Sequence, residues 1–210
     1  MNKHLLAFYA LVAISIIGLI LLVQNYPISS FDLHMTREIQ EQRAWDLTPL
    51  MKFVSLFGDP GIAPLTVIIA SLFFFLTYHR REACFTLAVA LPDLFNVLIK
   101  IWIHRPRPTL EDAKILSKFT QYGFPSGHVV HYVVFFGFLF AVMIVNKNIS
   151  LFWKIFVGIL SIFLIFTVSI SRIYLGAHWA TDVIGGYLFG FAYLGIVLKF
   201  YLKDLGPKCP

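Results

Sequence analysis

The sequence predicts an all-α integral membrane protein, a bundle of six transmembrane helices with a short interfacial helix between the first and the second. The composition indicates a chain surrounded mainly by lipid, since 59% of its 210 residues are hydrophobic, only 13% are charged, and the mean hydropathy is +0.79. Uncharged runs of about 17 to 20 residues, the length that a helix needs to cross a bilayer core, recur along the whole chain. They leave no room for a separate soluble domain, so residues 1–210 are predicted to form a single domain.

The predicted spans follow from the order of these apolar runs. They are residues 5–23, 62–78, 83–103, 129–145, 155–170 and 180–201. The first run has the position of a signal peptide, but it is long for one and no small-residue cleavage site follows it, so we expect a retained anchor. The third run is interrupted by several polar residues and by Pro92.

The segment between the first two spans predicts a helix that lies in the membrane interface. Ser30 is placed to cap its first turn, and an apolar stripe is formed by Phe31, Met35 and Ile39. An ordinary loop helix and a lid over a substrate entrance both remain open as its role. The Gly-Asp-Pro-Gly sequence at 58–61 predicts a turn that fixes the start of the second span.

The distribution of basic residues predicts that both termini are cytoplasmic, because lysine and arginine prefer the inner ends of membrane spans. With the N-terminus inside, the inner side collects Lys3, Arg80, Arg81, Lys147, Lys154, Lys203 and Lys208. The outer side then holds segments 24–61, 104–128 and 171–178, so the polar clusters described below are expected to face outward. The net charge of +6 is divided between two membrane faces and forms no basic stripe, which argues against a nucleic-acid partner.

The first polar cluster places Lys100 near the outer end of the third span and Arg107 just beyond it. A planar arginine fork beside a lysine point charge suits an anion with several oxygens, and phosphate is the natural candidate. The alternative is that both side chains only anchor the helix end at the interface.

The second cluster precedes the fourth span. Ser126 is the predicted N-cap, Gly127 permits close backbone approach, and the free N–H groups of the first turn form a site for an anion. His128 would stand beside such an anion, which favours a chemical role over a purely structural one. His131 is expected to pack or to support the site.

The third cluster runs from Ser171 and Arg172 to Asp182. If the sixth helix begins near Gly176, His178 and Asp182 lie four residues apart on one face and within side-chain contact. The aspartate would then hold the imidazole in one tautomer and leave its other nitrogen free to react. The alternative is a buried His–Asp pair that serves only helix packing.

Two further patterns are interpreted without a catalytic role. Asp93 and Asn96 share one helix face with Lys100, which suggests polar support for that lysine, with helix packing as the alternative. Gly186 and Gly190 on the sixth helix predict a close-packing surface between helices rather than a dimer interface.

The clusters form three ordered motifs. A lysine with six residues before Arg-Pro occupies 100–108, Pro-Ser-Gly-His occupies 125–128, and Ser-Arg, five residues, His, three residues, Asp occupies 171–182. This pattern resembles the signature of the type 2 phosphatidic acid phosphatase (PAP2) superfamily at every signature position. The resemblance covers about residues 93–190, and the six-span outline is similar to that family's small bacterial membrane lipid phosphatases over nearly the full length.

The resemblance implies a role for each signature residue. His178 would be the nucleophile that forms a phosphohistidine, oriented by Asp182, and His128 would be the general acid and then the base for water. The phosphate oxygens would be bound by Lys100, Arg107, Ser126, the Gly127 amide and Arg172. No metal and no other cofactor is expected, and the sequence has no cluster of carboxylates or Cys and His at metal-ligand spacing.

The expected substrate is a lipid that carries a terminal phosphate at headgroup level. Undecaprenyl diphosphate is slightly favoured, because small bacterial members with an outer site often resemble that activity, and phosphatidate and phosphatidylglycerophosphate remain open. A vanadate-dependent haloperoxidase uses similar pocket residues, but those relatives are larger and soluble. A transporter without chemistry would be expected to show repeats with broken helices near the midplane. The sequence does not indicate an oligomeric state.

Overall fold

The computed structural model describes residues 3–41, 46–117 and 122–203, and all regular secondary structure within these ranges is helical. The helices are α1 (Lys3–Asn25), α2 (Ser30–Glu41), α3 (Thr48–Leu56), α4 (Ile62–Leu76), α5 (Arg80–Ala88), α6 (Leu91–Ile103), α7 (Gly127–Val145), α8 (Leu151–Tyr174) and α9 (Ala180–Lys203). The prediction of an all-α chain is confirmed for these residues. Lys208, one of the basic residues predicted on the inner side, lies outside the described residues.

Four helical stretches of the described chain are long and apolar enough to cross a membrane. They are Arg80–Ile103, which comprises α5 and α6, Gly127–Val145, Leu151–Tyr174 and Ala180–Lys203. A fifth candidate is the pair formed by α1 and α2, which is bent by 91°. α4 is apolar but has 15 residues, short of the roughly 20 that a span needs. The chain therefore has four or five candidate spans by length and composition, and the count of six stays a prediction.

The helix α7 lies at the centre of the bundle, packed against α8 and α9. Of its most apolar window, 67% is buried, against at most 33% in the other three candidate spans. A Cβ added at Gly186 or Gly190 of α9 would come within 2.8 Å of the Cβ of Val129 or Val133 respectively. Helices this close leave no room for a larger residue, so the two glycines pack α9 against α7, as their spacing predicts.

The outward faces of the helices are apolar. Large apolar side chains are more than half exposed on every described helix except α2, among them Leu11, Phe73, Leu98 and Phe166. Exposed apolar surface of this extent is unfavourable in water but is the natural partner of lipid tails. This distribution is that of an integral membrane protein.

The helix α2 differs from its prediction in its cap, and it buries a polar stripe that the sequence analysis did not identify. Its first turn is capped by Ser29, whose Oγ accepts from the backbone N–H of Asp32 at 3.1 Å, and not by Ser30. Phe31 is 46% exposed, whereas a polar stripe of Asp32, Thr36 and Gln40 is buried. The polar stripe faces inward because the bundle offers it partners, such as the Tyr174 carbonyl that accepts from Gln40 Nε2 at 2.9 Å.

The segments that carry the polar clusters meet at one end of the bundle. The turn at 58–61 joins α3 to α4 as predicted, with Asp59 O accepting from the backbone N–H of Ile62 at 2.9 Å. α8 ends at Tyr174 and Gly176 follows with φ +67°, a backbone conformation that glycine adopts without strain. The next helix, α9, begins at Ala180, which is the first residue of the predicted span 180–201. The start near Gly176 that was assumed for the spacing of His178 and Asp182 is wrong.

Candidate active site

The three polar clusters come together around a cavity of about 570 Å³ at this end of the bundle. Its wall is formed by parts of α3, α4, α6, α7 and the C-terminal end of α8, with the turns that follow α3 and α8. Six of the eight predicted site residues line it, namely Lys100, Arg107, Gly127, His128, Arg172 and His178. The other two, Ser126 and Asp182, are buried behind this lining, where the Ser126 N–H donates to the Asp182 carbonyl at 3.0 Å.

His178 and Asp182 form the predicted pair, although His178 lies in the turn before α9 and not on the helix. The His178 Nδ1 donates to Asp182 Oδ2 at 3.3 Å, and both side chains are buried. The backbone N–H of Trp179 donates to the same carboxylate oxygen at 3.0 Å. Because a carboxylate only accepts, the proton of the neutral imidazole is held on Nδ1 and Nε2 carries a lone pair.

The Nε2 nitrogen of His178, which carries the lone pair, lies next to Arg107 in the cavity wall. Arg107 Nη1 lies 3.3 Å from His178 Nε2 and also donates to the Ala177 carbonyl at 2.6 Å. Burial lowers the pKa of His178 well below its usual value, and the positive charges of Arg107 and Lys100 act in the same direction. Burial also lowers the pKa of Arg107 to about 10, which still leaves its guanidinium charged at neutral pH. The site therefore pairs a neutral nucleophilic nitrogen with a fixed cation.

His128 is held by the turn at 58–61, a contact that was not predicted from the sequence. Its Nε2 lies 3.0 Å from Asp59 Oδ1, and a Cβ added at Gly58 would come within 2.6 Å of the His128 ring. The hydrogen bond from His128 lowers the pKa of the Asp59 carboxyl, so the partner is an anion at neutral pH. An adjacent carboxylate stabilises the protonated imidazole that a general acid requires.

The cations of the site are oriented by polar groups on neighbouring segments. Lys100 Nζ donates to the carbonyls of Tyr122 and Gly123 at 2.8 and 3.2 Å. Arg172 Nη1 donates to the Ser55 hydroxyl of α3. These contacts fix the lysine and the arginine at the cavity wall before any anion arrives, which lowers the entropic cost of binding one.

The start of α7 has the features of an anion cradle. Ser126 is the N-cap of α7, and its buried Oγ has no hydrogen-bond partner among the described residues. Gly127 backs onto Asn96, since an added Cβ would come within 2.7 Å of the Asn96 Nδ2. A helix N-terminus with a spare hydroxyl and an unshielded backbone N–H is suited to phosphate oxygens.

Arg105 and Asp32 support the site and were missed in the sequence analysis. Arg105 Nη1 donates to Asp182 Oδ1, and its Nη2 donates to Asp32 Oδ2 at 2.8 Å. The Arg105 Nη1 also donates to the Thr181 hydroxyl at 2.7 Å, and the Thr181 backbone N–H donates to Asp32 Oδ1 at 2.9 Å. The sequence did contain a signal for Asp32, since Asp32, Thr36 and Gln40 recur every four residues and so share one face of α2. Only the apolar stripe of α2 was considered in the sequence analysis.

The predicted support of Lys100 by Asp93 and Asn96 takes a different form. Asp93 Oδ2 accepts from His131 Nδ1 at 3.1 Å, and Asn96 abuts Gly127. The two residues therefore join α6 to α7, while the hydrogen bonds of Lys100 to the described residues go to backbone carbonyls. His131 lines the cavity, and its packing or supporting role stays a prediction.

The side chains that line the cavity are suited to binding an anion through their own positive charges. Among residues 3–41, 46–117 and 122–203, no three His, Cys, Asp or Glu side chains are grouped as a metal ion would require. The cavity is instead lined by four cations and three imidazoles, two of which are paired with carboxylates that also line it. The cations are Lys52, Lys100, Arg107 and Arg172, and the imidazoles are those of His178, His128 and His131. Such a set can bind an oxyanion, attack its central atom and transfer a proton to the group that leaves.

Comparison with known proteins matches the chain to one protein family and to relatives that are named as phosphatases. The family model of the PAP2 superfamily matches residues 81–205. The chain is 31% identical over 152 residues to phosphatidylglycerophosphatase B of Bacillus subtilis (strain 168), covering 70% of this chain and 68% of that protein. It is 26% identical over 178 residues to the undecaprenyl-diphosphatase of Sulfolobus acidocaldarius, covering 76% of this chain and 73% of that protein.

A solved structure shares the fold over almost the whole chain. It is the crystal structure of a transmembrane PAP2 type phosphatidylglycerolphosphate phosphatase from Bacillus subtilis, with a TM-score of 0.80 at 24% identity. The match covers 96% of this chain and 98% of that chain, so it includes α1 to α4 as well as the region that holds the three motifs.

Proposed function

Because the chain belongs to the PAP2 superfamily, we propose that it is an integral membrane lipid phosphatase that hydrolyses the terminal phosphate of a lipid phosphate or diphosphate. The observation that carries this proposal is the arrangement around His178. Its Nδ1 is held by Asp182 and its Nε2 faces Arg107 in the cavity. This geometry presents a nucleophilic nitrogen to an anion bound beside the arginine.

The first chemical step is transfer of the phosphoryl group to His178. Nε2 attacks phosphorus, the bond from phosphorus to the lipid oxygen breaks, and His128 donates a proton to that oxygen. The Nδ1 proton stays on His178, where the Asp182 carboxylate stabilises the positive charge that develops on the ring. The leaving group is a lipid alcohol for a monophosphate and a lipid monophosphate for a diphosphate.

The second step regenerates the protein. His128, now neutral, takes a proton from water, the water oxygen attacks phosphorus, and the bond from phosphorus to His178 Nε2 breaks to release inorganic phosphate. The phosphohistidine is therefore a covalent intermediate that divides hydrolysis into two easier steps.

The transferring phosphoryl group is stabilised by positive charge and hydrogen-bond donors. Its oxygens are bound by Lys100, Arg107, Ser126, the Gly127 amide and Arg172. A preorganised set of donors of this kind stabilises the charge of the transition state without reorganising during the reaction. We propose that the enzyme needs no metal ion, because these groups supply the charge that a metal would otherwise provide.

We place the site on the outer face of a six-span bundle, with both termini in the cytoplasm and α2 in the interface. The basic residues of the short loops support this orientation, since they lie at the end opposite the polar clusters. A site at the membrane surface suits a molecule whose tail stays in lipid while its phosphate lies at headgroup level. The names of the relatives, a phosphatidylglycerophosphatase and an undecaprenyl-diphosphatase, support this substrate class.

The decisive experiment measures phosphate release by detergent-purified protein in EDTA from phosphatidylglycerophosphate, phosphatidate and undecaprenyl diphosphate. Release that survives EDTA and is lost in His178→Ala is expected. Acid-labile, base-stable labelling of the wild-type protein by a ³²P-labelled lipid would identify the phosphohistidine. Full activity in His178→Ala, or activity restored only by added metal, would contradict the mechanism.

A further inference from the structure

A third His–Asp pair, besides His178–Asp182 and His128–Asp59, lines the same cavity. His131 of α7 donates from Nδ1 to Asp93 Oδ2 of α6 at 3.1 Å. The His131 side chain is 2% exposed, whereas Asp93 is 37% exposed at the cavity wall. The mechanism described above makes no use of either residue.

Two side-chain atoms at this pair, one on His131 and one on the neighbouring Asn96, have no hydrogen-bond partner among the described residues. They are His131 Nε2 and Asn96 Oδ1, and both are buried. The carboxylate of Asp93 holds a proton on Nδ1, so Nε2 of His131 is an acceptor in the neutral ring, and Asn96 Oδ1 is an acceptor in every case. Two buried acceptors left unpaired are costly, and their position in a cavity wall indicates that a ligand or water completes them.

These acceptors lie next to the phosphate cradle. Asn96 abuts Gly127 at the start of α7, and His131 follows Gly127 by four residues, on the same face of the helix. Asn96, Gly127, His128 and His131 all line the cavity. A group attached to a phosphate that is held at Gly127 would therefore reach the two acceptors.

The acceptors at Asp93, Asn96 and His131 favour a ligand group that donates a hydrogen bond. An ionised second phosphate offers only acceptor oxygens, and it would meet two acceptors and the Asp93 carboxylate, all of which repel it. An alcohol hydroxyl donates one hydrogen bond and satisfies such an acceptor without a charge. A polyol such as glycerol has hydroxyls within a few bonds of its phosphate ester.

We infer that Asp93, Asn96 and His131 form a subsite that binds a hydroxyl group on the alcohol esterified to the phosphate. The inference rests on the proposed phosphatase function and narrows its substrate class. It favours lipids that end in a glycerol phosphate over polyprenyl diphosphates, in contrast to the slight preference from the sequence. Asp93 acts here as a positioning residue, because it fixes the His131 tautomer.

The test compares two lipids that differ by one oxygen. The first is phosphatidylglycerophosphate, and the second is the same lipid with propane-1,3-diol in place of the terminal glycerol. Wild-type protein is expected to hydrolyse the glycerol lipid with a kcat/KM about tenfold to a hundredfold higher, because the missing hydroxyl leaves buried acceptors unpaired. In His131→Leu this ratio is expected to approach one.

A matched control is Ser161→Ala in α8. Ser161 is also buried, and its hydroxyl has no hydrogen-bond partner in the described part of the chain, but it is not among the residues that line the cavity. This variant is expected to keep the wild-type ratio. If His131→Leu does not fold, the ratio of kcat/KM for the two lipids is measured in Asn96→Ala instead. The comparison of the two lipids in the wild-type protein needs no variant.

Each outcome has a defined meaning. Equal kcat/KM for the two lipids in the wild-type protein would overturn the subsite but leave the phosphatase function intact. An equal loss on both lipids in His131→Leu, with the ratio unchanged, would show that the pair serves only packing. No phosphate release from either lipid, or from any other lipid phosphate, would overturn the proposed function and the subsite together.

Discussion

Arg105 holds Asp182 from the side opposite to His178. One guanidinium nitrogen of Arg105 donates to Asp182 Oδ1 and the other donates to Asp32 Oδ2, and all three side chains are completely buried. The other carboxylate oxygen of Asp182 accepts from His178. The orientation of His178, the proposed nucleophile, therefore depends on Arg105 and, through it, on α2.

This arrangement predicts that Arg105→Lys lowers kcat by about two orders of magnitude, comparable to the loss of a transition-state donor. A lysine keeps the charge but does not have the fork that bridges two carboxylates. Arg105→Met would leave two buried carboxylates uncompensated and lower the free energy of unfolding by about 3 to 5 kcal/mol. Steady-state kinetics and thermal unfolding in detergent check both values. Wild-type kcat in Arg105→Lys would show that Asp182 needs no such support.

The contact between Asp59 and His128 predicts an effect that depends on the leaving group. In Asp59→Asn the imidazolium of His128 loses its carboxylate partner, so proton donation is expected to slow by about tenfold on lipid substrates. p-Nitrophenyl phosphate, whose phenolate leaves without a proton, is expected to be hydrolysed at close to the wild-type rate. A comparison of kcat for the two substrates provides the measurement. An equal loss on both would point to a structural role for Asp59.

The pKa of His178 predicts how the protein responds to acid. Burial first, then Arg107 and Lys100, lowers this pKa below the usual value of about 6.5. Folded His178 binds its proton less readily than the unfolded chain does. The unfolded state is therefore favoured by proton uptake as the pH falls below about 6.5, and His178 makes the protein less stable on that side.

The same shift is measurable directly by ¹⁵N NMR of labelled imidazoles in detergent. His178 is expected to stay neutral at pH values of about 6, where an exposed histidine is largely protonated. Arg107→Gln removes one nearby positive charge and is expected to raise the pKa of His178, whereas Lys203→Gln at the far end of α9 is not. A His178 titration close to pH 6.5 in the wild-type protein would contradict the burial argument.

The contact between Gly127 and Asn96 predicts a second-site rescue. Gly127→Ala places a Cβ about where the Asn96 amide lies, so the anion cradle must shift and phosphate binding is expected to weaken. Asn96→Ala in the same chain removes the clash. The double variant is therefore expected to have a lower KM for p-nitrophenyl phosphate than Gly127→Ala alone, and a KM that is no lower would mean that the clash is not the cause.

The sequence was sufficient for the parts of the site that are local in the chain. Lys100, Arg107, His128 and Arg172 were found from short motifs, and the structure brings all of them to one cavity. Asp32 and Asp59 could not be found in this way, because they meet Arg105 and His128 across 73 and 69 residues. No spacing rule connects residues so far apart.

Two local predictions were wrong for identifiable reasons. Ser30 was expected to cap the first turn of α2, but the cap is Ser29, whose Oγ accepts from the backbone N–H of Asp32. Two consecutive serines lie at the start of this turn, and residue type alone does not distinguish between them. Gly176 was interpreted as a helix start, whereas it follows the end of α8 with positive φ. A glycine just past a helix is more typical of a C-terminal cap, and that signal was available in the sequence.

The region that carries every signature residue does not contain all the groups that hold those residues in place. The family model covers 81–205, whereas the carboxylates that hold Arg105 and His128 and the hydroxyl that holds Arg172 come from 29–61. An excised motif region would keep its reactive groups and lose their supports. Chimeras between members of the superfamily should therefore exchange both parts of the chain together, and a split version of this protein would be expected to recover turnover only when its two fragments reassociate.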